Sequence, residues 1–102
     1  NKGFLMDTIG IVGFGRFGKV LAQILSTTYN IVIHDPQFQG NEFPHKTIEE
    51  VVSCKIVFIA VPIREFEKTI ISMSRFKMYN TTIIDVCSVK MFPVEVMIKY
   101  LP

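Results

Sequence analysis

The sequence lacks features that mark several specialised classes of protein. Its two cysteines, Cys54 and Cys87, have neither the spacing of a disulfide framework nor that of a metal site. We therefore predict small buried thiols in a reduced, cytoplasmic protein that holds no metal. The net charge is only +2, with 20% charged residues, so there is no basic field of the kind that favours nucleic acid as a partner.

Long apolar runs are also absent, although 49% of the residues are hydrophobic. The longest runs, such as residues 56–62, fall far short of the roughly 18 residues that cross a bilayer. The N-terminal residues show no apolar core of a secretory signal, and no internal repeat is visible. We therefore predict no membrane partner. The length of 102 residues predicts a single domain.

Short runs rich in isoleucine and valine alternate with helical patterns along the chain. The predicted strands are 8–13, 30–35, 55–62 and 81–86. One helix follows the first strand, others are predicted over 48–53 and 63–76, and a last one begins near Pro93. This alternation predicts an α/β fold of the Rossmann type: a doubly wound, mainly parallel sheet with helices on both faces, lacking its last strands.

Apolar spacing predicts which helix faces meet the sheet. The first helix has a stripe made of Phe17, Val20, Leu21, Ile24 and Leu25, and the helix over 63–76 has one made of Ile63, Phe66, Ile70 and Met73. Thr47 and Glu50 have the spacing of a capping box at the start of the helix over 48–53. Residues 36–46, with two prolines and a glycine, are predicted as a loop with at most a short edge strand.

A glycine-rich turn lies between the first predicted strand and its helix, and it fits the pattern G-x-G-x-x-G. In this pattern the first glycine permits a tight turn, the second lets a pyrophosphate approach the backbone, and the third lets helix and strand pack closely. The free N–H groups of the helix's first turn then bind the phosphates. The predicted cofactor-binding residues of this turn are Gly13, Phe14, Gly15, Arg16, Phe17 and Gly18.

Asp35 follows the second predicted strand, 22 residues after Gly13. An acid there accepts hydrogen bonds from the adenosine ribose and repels a 2′-phosphate, which favours NAD over NADP as the cofactor. Two alternatives stay open: the glycines and Asp35 only build a tight turn, or His34 and Arg16 accommodate a phosphate. His34 and His45 have no partner at metal or triad spacing, and we expect both to be solvated.

Two further segments follow strand ends and should meet the glycine turn at one edge of the sheet. Val61 and Pro62 would form an apolar wall beside the cofactor. Ser88 and Lys90 could meet the carboxylate of a substrate, although an ordinary polar loop explains their position equally well.

Three segments together resemble the prephenate/arogenate dehydrogenase family: IGIVGFGRFGKVLA at 9–22, VFIAVPI at 57–63 and IIDVCSVK at 83–90. Enzymes of this family oxidatively decarboxylate prephenate or arogenate in tyrosine biosynthesis. The resemblance implies that the glycines and Asp35 hold the dinucleotide and that Val61 and Pro62 line its nicotinamide. It also implies that Ser88 and Lys90 support catalysis, Ser88 near the reacting hydroxyl and the catalytic histidine.

The family's catalytic histidine belongs to a segment that this chain does not contain, and neither His34 nor His45 lies at its position. The resemblance therefore implies that residues 1–102 are a dinucleotide-binding domain without the family's helical substrate and dimerisation domain, inactive by itself. The strand over 81–86 would then expose an edge, through which we expect self-association or a homodimer. The alternatives are the cofactor domain of a β-hydroxyacid-type dehydrogenase and a non-catalytic nucleotide-sensing module.

Overall fold

Strands and helices alternate through the part of the chain that the computed structural model describes, which is residues 7–37, 40, 42–78 and 80–86. The elements are β1 (Thr8–Val12), α1 (Arg16–Leu25), β2 (Asn30–His34), α2 (Ile48–Val52), β3 (Ile56–Ile59), a 3-10 helix (Ile63–Glu65), α3 (Phe66–Met73) and β4 (Thr82–Asp85). The predicted alternation is confirmed, while the helix predicted from Pro93 lies outside the described residues. None of the described helices is long and apolar enough to span a membrane.

The four strands form one parallel sheet in the order β2-β1-β3-β4. A short segment, residues 42–46, extends the sheet beyond β2, and we call it the clasp. Ile33 forms a parallel bridge with His45, because its N–H donates to the Pro44 carbonyl at 2.9 Å and its carbonyl accepts from the Lys46 N–H at 2.7 Å. The short edge strand is therefore present as a single bridge, and the strand order is that of a doubly wound sheet.

Helices cover both faces of the sheet, as the sequence predicted. On one face α1 packs against the strands in a buried cluster made of Ile9, Ile11, Phe14, Ala22, Ile31 and Ile33. On the other face α2 and α3 pack in a cluster made of Val12, Val51, Val52, Val57, Ile59, Val61 and Met73. The fold is thus a Rossmann-type α/β arrangement, and both clusters hold its strand ends in place.

Contact of α2 with the sheet depends on a glycine in β1. A Cβ placed on Gly10 would lie 2.6 Å from Cγ1 and 3.0 Å from the carbonyl oxygen of Val51, so a side chain there would push α2 away. Cys54 is half-buried beside this contact, and its burial raises the pKa of its thiol. Cys87, the other predicted buried thiol, lies outside the described residues.

The predicted stripe of α1 is wrong at two positions, since Val20 is 44% exposed and Ile24 is 62% exposed. Gly18 and Ala22 are instead the buried residues of α1, and Leu21 and Leu25 are half-buried. Positions two apart on a helix differ by about 200° in direction, so contact through Gly18 and Ala22 turns positions 20 and 24 toward solvent.

The predicted stripe of the second long helix is wrong at Ile63, which is 57% exposed. Ile63 belongs to the 3-10 helix that precedes α3, and the tighter winding of that turn takes it off the α3 face. Met73 is buried, and Phe66 and Ile70 pack against the same cluster as expected.

The capping box at the start of α2 is confirmed. The Glu50 N–H donates to the Thr47 hydroxyl at 3.2 Å, and the Thr47 N–H donates to the Glu50 carboxylate at 3.0 Å. The Thr47 N–H, together with the Thr47 hydroxyl, which donates to the same carboxylate at 3.1 Å, stabilises the charged form and holds the pKa of Glu50 below its usual value. The cap fixes where α2 begins, directly after the clasp.

In the described part of the chain, β4 pairs with β3 alone. Ile83 on this strand is 37% exposed. Self-association through this edge stays a prediction, which sedimentation at increasing concentration would test.

Candidate functional site

A crevice of about 500 Å³ opens at the carboxyl ends of the strands. The glycine turn, the residues after β2 and β3, and one face of α3 line it. The crevice lies where the strand order reverses between β1 and β3, which is where doubly wound sheets bind their ligands. Of the segments that the sequence placed at one edge, the glycine turn and Val61–Pro62 are therefore brought together around one cavity.

Gly13 allows the chain to turn sharply between two strand ends. Its φ is +102°, and a Cβ there would lie 2.8 Å from the carbonyl carbon and oxygen of Ala60. Its N–H donates to the His34 carbonyl at 2.8 Å, while the Ala60 N–H donates to the Val12 carbonyl at 2.8 Å. The turn is thus fixed between the ends of β2 and β3, and only glycine fits there.

Gly18 and Gly15 differ sharply in the space around them. A Cβ on Gly18 would overlap the carbonyl oxygen of Gly13, so this glycine lets α1 start against the turn. A Cβ on Gly15 would have no other atom within 4 Å. Packing within the protein therefore requires glycine at position 18 but does not require it at position 15. The open space around Gly15 leaves room for a ligand against the backbone.

The start of α1 suits an anion. Gly15 is the N-cap residue, no side chain caps the helix, and its first turn contains no acidic residue. Backbone N–H groups at such a start lack intrahelical acceptors and carry partial positive charge. Together with the space at Gly15, these groups fit the pyrophosphate of a dinucleotide, as the glycine pattern predicted.

Asp35 joins the end of β2 to the glycine turn. Its Oδ2 accepts a hydrogen bond from the Phe14 N–H at 2.6 Å, and its Oδ1 accepts one from the Gln37 N–H at 2.8 Å. A carboxylate has about four acceptor sites, so each oxygen retains capacity for a further bond. Asp35 builds the turn and lines the crevice, so the structural and the ribose-binding interpretations are compatible.

His34 and His45 are not simply solvated, contrary to the expectation from their spacing. Their rings are stacked, with centroids 5.6 Å apart and planes 12° apart. His34 Nδ1 bonds the Lys46 carbonyl at 2.8 Å, and His45 Nε2 accepts from the Asp35 N–H at 3.1 Å. Both partners are backbone groups brought together by the bridge between β2 and the clasp, which no spacing in the sequence reveals.

The clasp also holds the glycine turn. The Phe43 ring meets the Phe14 ring edge-on, with centroids 6.0 Å apart. Lys19 lies 3.7 Å from the Glu42 carboxylate, and its ammonium is 5.8 Å from the centre of the Phe14 ring. Phe14, predicted as a cofactor-binding residue, therefore contributes its side chain to this packing.

The remaining predicted residues divide into those in the crevice and those outside the described part. Arg16, Phe17, Val61 and Pro62 line the crevice; Val61 is buried and Pro62 is exposed. Val86, after β4, also lines it, so the end of that strand reaches the site. Ser88 and Lys90 lie outside the described residues, and their predicted role stays a prediction.

Sequence reasoning missed the contribution of the 3-10 helix and α3. Arg64 from the 3-10 helix, and Lys68 and Ser72 from α3, line the crevice on the side opposite β2. Within the helix predicted over 63–76, their spacing of four residues was the signal available. They add two cations to the one that Arg16 supplies.

The sequence profile described as "Prephenate dehydrogenase, nucleotide-binding domain" matches residues 37–102, which is more than half of the chain. The chain belongs to the prephenate dehydrogenase nucleotide-binding domain family. This confirms the family resemblance, and two of the three segments that carried it, 57–63 and 83–90, lie in the matched range. No curated protein sequence shows a significant match to the chain.

The matched part of this prephenate dehydrogenase domain contains the clasp, the Val61–Pro62 wall and β4. It begins after Asp35, so the glycine turn is assigned by its own geometry. Membership makes the chain a nucleotide-binding domain for NAD(P), and it does not distinguish the two forms of the cofactor.

Proposed function

We propose that the chain binds NAD in this crevice as the cofactor-binding part of an enzyme that oxidatively decarboxylates prephenate or arogenate. The observation that carries the proposal is Asp35, whose carboxylate is fixed against the glycine turn with acceptor capacity left over. A ribose diol supplies two hydroxyl donors for those acceptor sites. A 2′-phosphate would bring negative charge beside the carboxylate, which favours NAD over NADP.

The crevice supports the rest of the dinucleotide through charge. Gly15 and the uncapped start of α1 would take the pyrophosphate, and Arg16, Arg64 and Lys68 would offset its negative charge. Within the described residues, no ion pair involves these three cations. Val61 and Pro62 would give the nicotinamide an apolar wall. NAD(P), when bound, accepts the hydride; the residues of this chain bind and orient it.

The substrate side of the proposal rests on the family. Ser88 and Lys90 would support catalysis from the segment after β4. The family match favours this enzyme over the β-hydroxyacid-type dehydrogenase and the nucleotide-sensing module. Turnover by the product of the source gene, measured with prephenate, arogenate and β-hydroxyacids, tests the choice. Turnover of β-hydroxyacids alone would contradict it.

Titration calorimetry with NAD and with NADP tests the cofactor proposal directly. We expect heat with NAD and weaker binding of NADP. Asp35→Ser should weaken NAD about tenfold or more, because bonds to a charged group are lost. Glu49→Gln is the matched control: it removes one exposed acid outside the crevice and should leave affinity unchanged. Heat with neither nucleotide would overturn the proposal.

Asp35→Ser also tests the discrimination between the two nucleotides. If the carboxylate repels the 2′-phosphate, the ratio of NADP to NAD affinity should rise in this variant. An unchanged ratio would show that Asp35 does not read the ribose.

A further inference from the structure

The two stacked histidines control the backbone at Asp35, and their hydrogen atoms can be assigned from their partners. A carbonyl can only accept, so His34 Nδ1, which bonds the Lys46 carbonyl, must carry a hydrogen. A backbone N–H can only donate, so His45 Nε2, which bonds the Asp35 N–H, must carry none. His45 is therefore neutral in this arrangement, with its hydrogen on Nδ1.

The bond from Asp35 to His45 matters because Asp35 is held from two directions. Its carboxylate is fixed by the Phe14 and Gln37 N–H groups, and its own N–H is fixed to the clasp. Loss of the bond to His45 removes the contact that ties the Asp35 backbone N–H to the clasp. The clasp itself would persist without the histidine bond, because the Phe43–Phe14 contact and the bridge to Ile33 remain.

We propose that His45 is a positioning residue for the nucleotide site, which in its neutral form fixes Asp35 for the ribose and on protonation releases it. The inference rests on the proposed function, since it assumes that Asp35 meets the ribose. A protonated ring has two donors and no acceptor, so it cannot take the Asp35 N–H. The Asp35 carboxylate is an acceptor of the same residue, and a bond from the protonated ring to it would compete with the ribose hydroxyls. Both effects weaken NAD binding in acid.

Charged groups of both signs surround the histidine pair. On β2, the clasp and the helices packed against them, these groups are Asp35 after β2, Arg16 and Lys19 on α1, Glu42 and Lys46 in the clasp, and Glu49 and Glu50 on α2. A proton added to His34 would break neither bond, because His34 Nδ1 already donates, whereas a proton on His45 Nε2 removes the acceptor of the Asp35 N–H.

Calorimetry of the 102-residue chain with NAD at several pH values tests the proposal. From neutral to acidic pH, affinity should fall about three- to tenfold, the effect of one hydrogen bond. His45→Gln keeps an acceptor at all pH values, so it should bind NAD with little pH dependence. His45→Leu has no acceptor and should bind weakly throughout. His34→Gln is the matched control and should keep the dependence, since His45 remains.

A second measurement reads the contact without nucleotide. In NMR spectra of the free chain recorded at several pH values, the Asp35 amide resonance should shift with the same midpoint as the His45 ring resonances. In His45→Gln this shift should vanish.

A wild-type affinity for NAD that does not change with pH, or a pH dependence that survives in His45→Gln, would overturn the inference alone. Absence of NAD binding at every pH would overturn the proposed function as well. An Asp35 amide that does not follow the His45 ring would show that the contact does not respond to the proton.

Discussion

Asp35 accepts a hydrogen bond of 2.6 Å from the backbone N–H of Phe14, across 21 residues of sequence. The same carboxylate that would read the ribose thereby shapes the turn that would hold the pyrophosphate. The proposed ribose and pyrophosphate sites are therefore connected through the Asp35 side chain. Any substitution of Asp35 must therefore be assessed for its effect on the turn before it is interpreted as a change of cofactor preference.

Gly15→Ala should separate binding from stability. The added methyl group meets no atom within 4 Å, so the free energy of unfolding should fall by no more than about 1 kcal/mol, the difference between glycine and alanine at an N-cap. NAD affinity should fall about tenfold or more, because the methyl group occupies the approach to the start of α1. Urea denaturation and calorimetry on the same variant measure the two effects. If the variant binds NAD as tightly as the wild type, the pyrophosphate does not bind at Gly15.

Gly18→Ala should behave in the opposite manner. Its methyl group would overlap the Gly13 carbonyl oxygen, which is backbone and cannot rotate aside. We expect the free energy of unfolding to fall by about 1–3 kcal/mol, as for overpacking elsewhere. Gln23→Ala, at an exposed position of the same helix, is the control for helix propensity. Equal urea midpoints for Gly18→Ala and the wild type would contradict the close contact.

The clasp should depend on its aromatic contact more than on its ion pair. Phe43→Ala removes an edge-on ring contact and should lower the free energy of unfolding by about 1 kcal/mol or more. Glu42→Gln breaks the pair with Lys19, but both side chains are about half exposed, so its effect should be a few tenths of a kcal/mol at most. Thermal or urea unfolding of the two variants ranks them. A larger loss for Glu42→Gln would reverse the order of importance.

Glu50 should make the stability of α2 sensitive to acid. Its pKa is lowered in the folded chain by the bonds with Thr47, so its contribution is present above its usual value of 4.5. That contribution is lost as the pH falls through the lower, folded value. Glu50→Gln keeps a carbonyl acceptor but cannot titrate, so its stability should decline less than that of the wild type below pH 4.5. Urea midpoints measured from neutral to acidic pH compare the two chains. Parallel curves would show that the cap bonds do not favour the charged form.

Local patterns predicted the elements well, because strand runs, the capping box at Thr47 and the glycine turn are each written in a few neighbouring residues. The exposure of Val20 and Ile24 could not be obtained in this way. Spacing alone does not tell which side of an apolar helix meets the sheet, and here the small residues Gly18 and Ala22 decide it.

Long-range contacts account for what the sequence left out of the site. His45 reaches Asp35 only because the clasp pairs with β2 at Ile33, and Gly10 matters only because α2 packs on it. Neither partner lies at a recognisable spacing. The lining of the crevice after Pro62 could have been predicted, because Arg64, Lys68 and Ser72 are spaced four residues apart within the helix predicted over 63–76.

The contacts of Gly13 also imply an order in time. A chain made from its N-terminus contains both partners of the Phe14–Asp35 bond once residue 35 has been added, together with β1, α1 and β2. The wall that Ala60 and Val61 place against Gly13 does not yet exist at that stage. During synthesis, Asp35 and the glycine turn can therefore come into contact before the residues after β3 exist. The side of the crevice that those residues form is added later.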